Sequence, residues 1–184
     1  LLDGGDTWQG SATALWSRGQ DMVDACLLLG VDVMTAHWEM TLGAERVQDI
    51  VTNDFSGKID FLAQNVKTFD FDDPVFDSFT IKEMNGVPIA VIGQAFPYTP
   101  IANPSHLIPD WSFGIREYEL QQLVNRIRKQ GIKVVVLLSH NGMDVDLKLA
   151  SRVTGLDAIL GGHTHDGMPV PVIVPNRTGK TIVT

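Results

Sequence analysis

Cysteine is nearly absent. Cys26 is the only one in 184 residues, so an internal disulfide framework is excluded. It lies in a helical pattern between Ala25 and Leu27, the setting of a small buried apolar residue. Long apolar runs are missing too: none approaches the roughly 20 residues that span a bilayer, so no membrane insertion is expected. Positive charge is scarce, with 14 basic against 22 acidic residues and a formal net charge of −8. The resulting field repels polyanions and excludes a nucleic-acid platform, and an anionic small substrate would need local help such as metal ions. What remains, 44% apolar and 20% charged residues without repeats, suits one globular domain or part of one.

Strand and helix signals alternate along the chain. Leu1-Leu2-Asp3 reads as the end of a buried strand, left through the turn Gly4-Gly5-Asp6. Ser11 is placed to cap a helix whose apolar positions Leu15, Met22, Val23, Cys26 and Leu27 recur at helical spacing up to Gly30. Val31 to Met34 and Ile59 to Ala63 read as strands, with a helical stretch around Ala44 to Val51 between them. Thr80–Met84 and Val87–Ile92, joined by Asn85-Gly86, predict a hairpin, because Asn-Gly supplies the positive φ angles of a tight turn. The segment from Phe96 to Trp111 reads as a long ordered loop. A helix from Arg116 to Gly131 precedes the buried strand Val134–Leu138. Asp146 is placed to cap a helix through Val153, and Ala158-Ile159-Leu160 is the next buried strand. This alternation predicts an α/β domain with helices layered over sheet.

Four of these strands hand over directly to polar residues: Gly5-Asp6, Ala36-His37, Ser139-His140, and Gly161-Gly162-His163-Thr164-His165. Ligand sites gather at strand ends in α/β sheets. A carboxylate with four imidazoles suits Zn, Mn or Fe and makes a poor calcium site. A single strand-end histidine is ordinarily a hydrogen-bonded structural residue, and His106, which has no strand before it, is read that way. The His-x-His pair is more specific, because in extended chain the two rings point apart and a turn must bring them together. Gly161 and Gly162 would permit that turn.

These motifs resemble the calcineurin-like metallophosphoesterases, and within them the 5′-nucleotidase branch. Gly5-Asp6-Thr7-Trp8-Gln9-Gly10-Ser11 is similar to that branch's G-D-x-x-x-G-S, Ser139-His140-Asn141-Gly142 to its S-H-x-G, and Gly162-His163-Thr164-His165 to its G-H-x-H. The resemblance runs through essentially the whole chain. It implies a layered β-sheet sandwich covered by helices and two divalent metal ions. Asp6 would bridge them, His140 and His163 would hold one, and His165 the other. The family's D-x-H motif has no counterpart here, so residues 1–184 are expected to be a catalytic domain truncated at both ends.

One motif departs from the branch. Where G-N-H-E-F-D is usual, this sequence reads Ala36-His37-Trp38-Glu39-Met40-Thr41, placing His37 at a metal-ligand asparagine and Trp38 at the histidine that assists the leaving group. Together with Ala63-Gln64-Asn65-Val66-Lys67-Thr68 and Ile92-Gly93-Gln94-Ala95-Phe96-Pro97-Tyr98-Thr99-Pro100, this is similar to the SoxB thiosulfohydrolases. That resemblance implies a manganese pair whose activated water releases sulfate from a cysteine S-sulfonate, held on a SoxYZ-like carrier protein, in the periplasm. The chemistry is consistent with the substitution, since a departing cysteine-type thiolate has a conjugate acid of pKa about 8.5 and needs no general acid. Trp38 could wall the site or simply pack; Glu39 could orient a ligand histidine or cap the following helix; Asn141 could donate to an anionic oxygen or serve as a turn residue. Two other readings stand beside this one: a 5′-nucleotidase or related phosphoesterase, and a non-catalytic module that keeps only the metal rim.

Overall fold

The computed structural model describes residues 1–184. Three short parallel strands, β1 (Leu2–Asp3), β2 (Val33–Met34) and β3 (Asp60–Phe61), form one sheet in the order β1-β2-β3. Between them run α1 (Ala12–Ser17), α2 (Gln20–Leu29), a 3₁₀ turn (Trp38–Leu42) and α3 (Ala44–Asp49), which continues as a π turn to Asp54. A two-stranded ribbon of β4 (Lys67–Thr68) and β7 (Trp111–Ser112) follows the first sheet in sequence and brackets the hairpin of the second.

The second sheet has six strands. The hairpin β5 (Phe79–Met84) and β6 (Val87–Gln94) occupies one edge, β8 (Val134–Ser139) and β9 (Ala158–Leu160) follow in parallel, and the hairpin β10 (Val172–Asn176) and β11 (Gly179–Val183) closes the other edge. Helices α5 (Glu117–Lys129) and α6 (Met143–Arg152) supply the crossovers, while α4 (Thr99–Ala102) is a single turn.

Period-two alternation sorts the side chains into three cores. Met34 and Phe61 pack with Val23, Cys26, Val47 and Ile50 from the helices beside the first sheet. Ala90, Ile92, Val135, Leu137 and Ile159 pack under Leu120, Val124, Ile127 and Leu149 from α5 and α6. The alternate residues Val33, Leu62, Val91 and Leu138 meet between the sheets. The layers therefore run helix, sheet, sheet, helix, the sandwich expected from the motifs. Truncating a fully buried residue such as Leu137 to alanine would cost about 2–5 kcal/mol.

Gly93 sets how closely the sheets meet. A Cβ there would lie 2.3 Å from the Leu62 carbonyl oxygen and 2.4 Å from Leu62 Cβ, while the Gly93 carbonyl accepts a hydrogen bond from Gln64 N–H at 2.8 Å. Leu62 fills the space that any side chain would need.

Several expectations required correction. The helix from Ser11 to Gly30 is two helices, because Arg18 and Gly19 adopt positive φ of 53° and 81° and end α1; a Cβ on Gly19 would sit 2.9 Å from Leu42 Cδ1. Helix α6 begins at Met143 behind Gly142, not at Asp146. The loop from Phe96 to Trp111 contains α4 and a 3₁₀ turn at Ser105–Leu107. The hairpin over 172–183 was not anticipated. The Asn85-Gly86 turn is as expected, with φ of 52° and 78°.

Candidate metal centre

The carboxyl ends of β1 and β2 in one sheet, and of β8 and β9 in the other, converge at one end of the sandwich. Asp6 follows β1, His37 follows β2, His140 follows β8 and His163 follows β9. One ligand atom from each of these four residues lies within 4.8 Å of every other. Asp6 sits in the middle of the hydrogen bonding: its Oδ1 is 3.1 Å from His37 Nδ1 and accepts from Trp38 N–H at 3.0 Å, and its Oδ2 is 3.1 Å from His140 Nε2. The ring centroids of His37, His140 and His163 are 5.0 to 5.4 Å apart.

The backbone bends to allow this convergence. Asp6 and His163 hold positive φ of 66° and 80°, an arrangement that costs a non-glycine residue about 1–3 kcal/mol and clusters at functional sites. The turn in the His-x-His segment therefore falls on His163 and on His165, at φ 55°, and not on Gly161 or Gly162 as expected. Gly161 is needed for space: a Cβ would lie 2.8 Å from Asp146 Oδ2 and 3.0 Å from the Thr184 carbonyl oxygen. Gly5 brings the Asp6 loop against the segment after β2, where a Cβ would lie 2.9 Å from Ala36 Cα.

The electrostatics favour cation capture. Burial works to raise the Asp6 carboxyl, but hydrogen bonds from His140, His37 and Trp38 N–H outweigh it and hold Asp6 well below the usual carboxylate range. Burial likewise opposes charge on His140, yet Asp6 and the Gly4 carbonyl raise its pKa above the ordinary value. His163 is lowered, first by burial and then by the neighbouring His37 and His140. The Gly4 carbonyl can only accept, so His140 Nδ1–H donates to it at 2.6 Å and, in the neutral ring, the Nε2 lone pair faces Asp6. His37 Nε2 and His163 Nδ1 are buried without any hydrogen-bond partner. Unpartnered imidazole nitrogens beside an ionised carboxylate are a donor set that fits a divalent transition metal.

Glu39 has no exposed surface and joins two of these segments. Its Oε1 accepts from Thr7 N–H at 2.5 Å and Trp8 N–H at 3.3 Å, and its Oε2 from His37 N–H at 2.7 Å. It thus orients His37 through the backbone rather than through the imidazole. Trp38 stands on the rim, 37% exposed, with its ring centroid 4.8 Å from that of His37.

Asn141 does not face the site as a donor. Both its Nδ2 hydrogens are used, toward Gln94 Oε1 at 2.7 Å and Asp146 Oδ1 at 3.2 Å. Gln94 in turn donates to the Ile115 carbonyl at 2.9 Å and to Gln64 Oε1 at 3.0 Å, which fixes the direction of the chain of amides. Asp146 is part of this network and not a helix cap: it accepts from Ser139 Oγ at 2.7 Å, and burial pushes its pKa up to about 6. Gln64, Gln94 and Ser139 were missed as site residues. Polar side chains interrupting apolar strand ends were the available signal.

His165 lies outside the four-residue group and is exposed, beside a cleft of about 130 Å³ that His163, Asp166, Met143, Met168 and Thr184 also line. His106 is exposed on its 3₁₀ turn and apart from the centre.

No family model matches the chain. Among solved structures it is similar to the sulfate thiohydrolase SoxB of Thermus thermophilus, with 42% identity over 99% of this chain and 32% of that one and a TM-score of 0.90. It is also similar to a 5′-nucleotidase precursor from Thermus thermophilus, with 26% identity over 100% of this chain and 38% of that one and a TM-score of 0.85. Among curated proteins, the 5′-nucleotidase of Rattus norvegicus is 27% identical over 100% of this chain and 33% of its own length. The chain thus spans about a third of the length of the relatives it matches. Its layered α/β fold is that of part of a 5′-nucleotidase-type phosphoesterase domain.

Proposed function

We propose, from this likeness to SoxB and the 5′-nucleotidases, that the chain is part of the catalytic domain of a divalent-metal hydrolase. In this reading the protein releases sulfate from a cysteine S-sulfonate presented by a SoxYZ-like carrier protein, in the periplasm, with manganese as the metal. Asp6, His37, His140 and His163 would hold one ion, and Asp6 and His165 would contribute to a second. When bound, such ions lower the pKa of water and neutralise charge developing on sulfonate oxygens.

The protein's own residues do the rest. Asp6, kept ionised by its three hydrogen bonds, supplies the negative charge that retains a cation. The Gly4 carbonyl holds the His140 Nδ1–H, so when the ring gives up the Nε2 proton that it shares with Asp6, Nε2 would present a lone pair. Glu39 locks the Asp6 loop to the His37 segment. Trp38 covers the rim and limits water without offering a proton.

The observation that carries the reading is Trp38 beside His37, in the place where phosphoesterases of the branch keep a leaving-group histidine. A phosphate ester expels a strongly basic alkoxide and benefits from that acid, whereas a thiolate departs without it. The sequence likeness to 5′-nucleotidases favours phosphate-ester hydrolysis as the second reading. The test is a paired assay of the full-length, manganese-loaded protein on a carrier-bound cysteine S-sulfonate and on a nucleoside monophosphate. Sulfate release with poor nucleotide hydrolysis supports the proposal, and Trp38→His should not accelerate it. Faster nucleotide turnover overturns it in favour of the phosphoesterase, and inactivity on both substrates leaves a metal-binding module.

A further inference from the structure

A ligating imidazole is ordinarily oriented by a hydrogen bond at its other ring nitrogen. His140 has such a bond, from Nδ1–H to the Gly4 carbonyl. His37 and His163 have none from outside the centre: the His37 ring bonds, through Nδ1, only to Asp6, itself a ligand in this reading, and neither nitrogen of His163 has a hydrogen-bond partner. Some other contact must set these two rings.

Phe96 makes that contact with both. Its ring centroid is 4.1 Å from that of His163, nearly parallel at 29°, and 4.2 Å from that of His37 at 46°. The two histidines come from different sheets, so a single buried ring spans the seam across which the centre is assembled. The mounting of Phe96 is rigid. Its N–H donates to the carbonyl of Ala36, the residue before His37, at 3.1 Å. The preceding residue is clamped by Asn65, which is wholly buried, accepts from Ala95 N–H at 2.8 Å and donates to the Ala95 and Gly114 carbonyls at 2.7 and 3.0 Å. Phe96 itself is 7% exposed, and its side chain carries no polar atom with which to reach Asp6 or a substrate.

We infer that Phe96 is a positioning residue for the metal centre, its aromatic face taking the orienting role that a hydrogen bond plays at His140. The inference rests on the reading of His37 and His163 as metal ligands. A flat face restricts rotation of two imidazoles about their Cβ–Cγ bonds, and an aliphatic side chain of similar volume does not. Free rotation would have to be lost on metal binding, and affinity would fall by that amount.

The test uses the full-length protein and titrates Mn²⁺, with Co²⁺ absorption as a report on coordination geometry, on wild type, Phe96→Leu and Phe96→Tyr, each shown to be folded by circular dichroism. Phe96→Leu should weaken Mn²⁺ binding by about 10-fold or more and alter the Co²⁺ bands, as loss of an orienting partner does. Phe96→Tyr, which keeps the face, should restore both. If the leucine variant does not fold, Phe96→Met takes its place with the same readouts. Unchanged affinity in the folded aliphatic variant overturns the inference, as does equal loss in the tyrosine variant, which would deny the aromatic face its role. Absence of metal binding by wild type would sink the underlying reading of the centre instead.

Discussion

Replacing Glu39 by glutamine isolates what holds the Asp6 and His37 segments together. The carboxylate uses two oxygens for three backbone donors, the part-buried Thr7 and the buried Trp8 at Oε1 and the buried His37 at Oε2. Glutamine has the same shape but only one oxygen. With that oxygen toward Thr7 and Trp8, its NH₂ confronts His37 N–H; turned round, it confronts two donors. At least one backbone N–H is left unpaired in a position without solvent, at a cost of about 1–3 kcal/mol, and the surviving bonds lose their charge assistance. Relief of the carboxylate's own desolvation offsets part of this. A net loss of about 2 kcal/mol is expected, lowering Tm by roughly 4–8 °C for a domain of this size. Glu39→Ala leaves all three donors unpaired and should cost at least about 3 kcal/mol. The assay is urea unfolding of the metal-free protein, reading the midpoint at constant m-value. A Glu39→Gln midpoint matching wild type would refute the reasoning, because it would mean that these three donors find partners without the carboxylate.

Other consequences follow from the same geometry. Gly93→Ala should destabilise by about 3 kcal/mol or more, since the Leu62 carbonyl oxygen already stands 2.3 Å from the new methyl; a melting temperature equal to wild type would show that the sheets can part. Asp146 binds its proton more tightly in the fold, at about 6 against an ordinary 3.8, so it contributes stability that is fully present below about pH 4 and is lost as pH rises to about 6. That difference of about 2 units corresponds to ~3 kcal/mol. The stability of Asp146→Asn relative to wild type should therefore rise between pH 4 and 7 in urea unfolding, and a pH-independent difference would contradict it. His140 must give up its proton to bind a metal, and its raised pKa means that metal affinity should fall as pH drops through the ordinary histidine range. Titration calorimetry in buffers of different ionisation enthalpy should register net proton release on metal binding; no release would mean that His140 is already neutral. His37→Ala should weaken metal binding by at least about 10-fold, measured by direct titration.

The sequence by itself determined most of the strands and helices and named five candidate ligands, of which the fold gathers Asp6, His37, His140 and His163 but not His165, because these signals depend on short-range patterns. Short β-branched apolar runs such as Val134–Leu138 read as buried strands, the Asn85-Gly86 pair can readily supply two positive φ angles, and a polar residue just after a buried strand sits at its carboxyl end whatever the topology. Where local signals were weak the reading fell short. The helix break at Arg18–Gly19 comes from packing against Leu42 as much as from sequence, and the hairpin over 172–183 has partly exposed strands with little alternation to mark them.

Only the tertiary structure decided which strand ends face one another. Asp6 and His37 belong to one sheet, His140 and His163 to the other, and nothing local in the chain says that the sheets stack with their carboxyl ends together. That juxtaposition depends on contacts between residues far apart in sequence, such as Gly93 with Leu62 and His140 with Gly4. The roles of Asn141 and Asp146 turned on the same long-range facts: each could serve the site or the helix by local chemistry, and Gln94, 47 residues from Asn141, settled its orientation. A side chain's type limits what it can bond, but its partners are set by the chain that packs against it, and those partners come from every part of the fold.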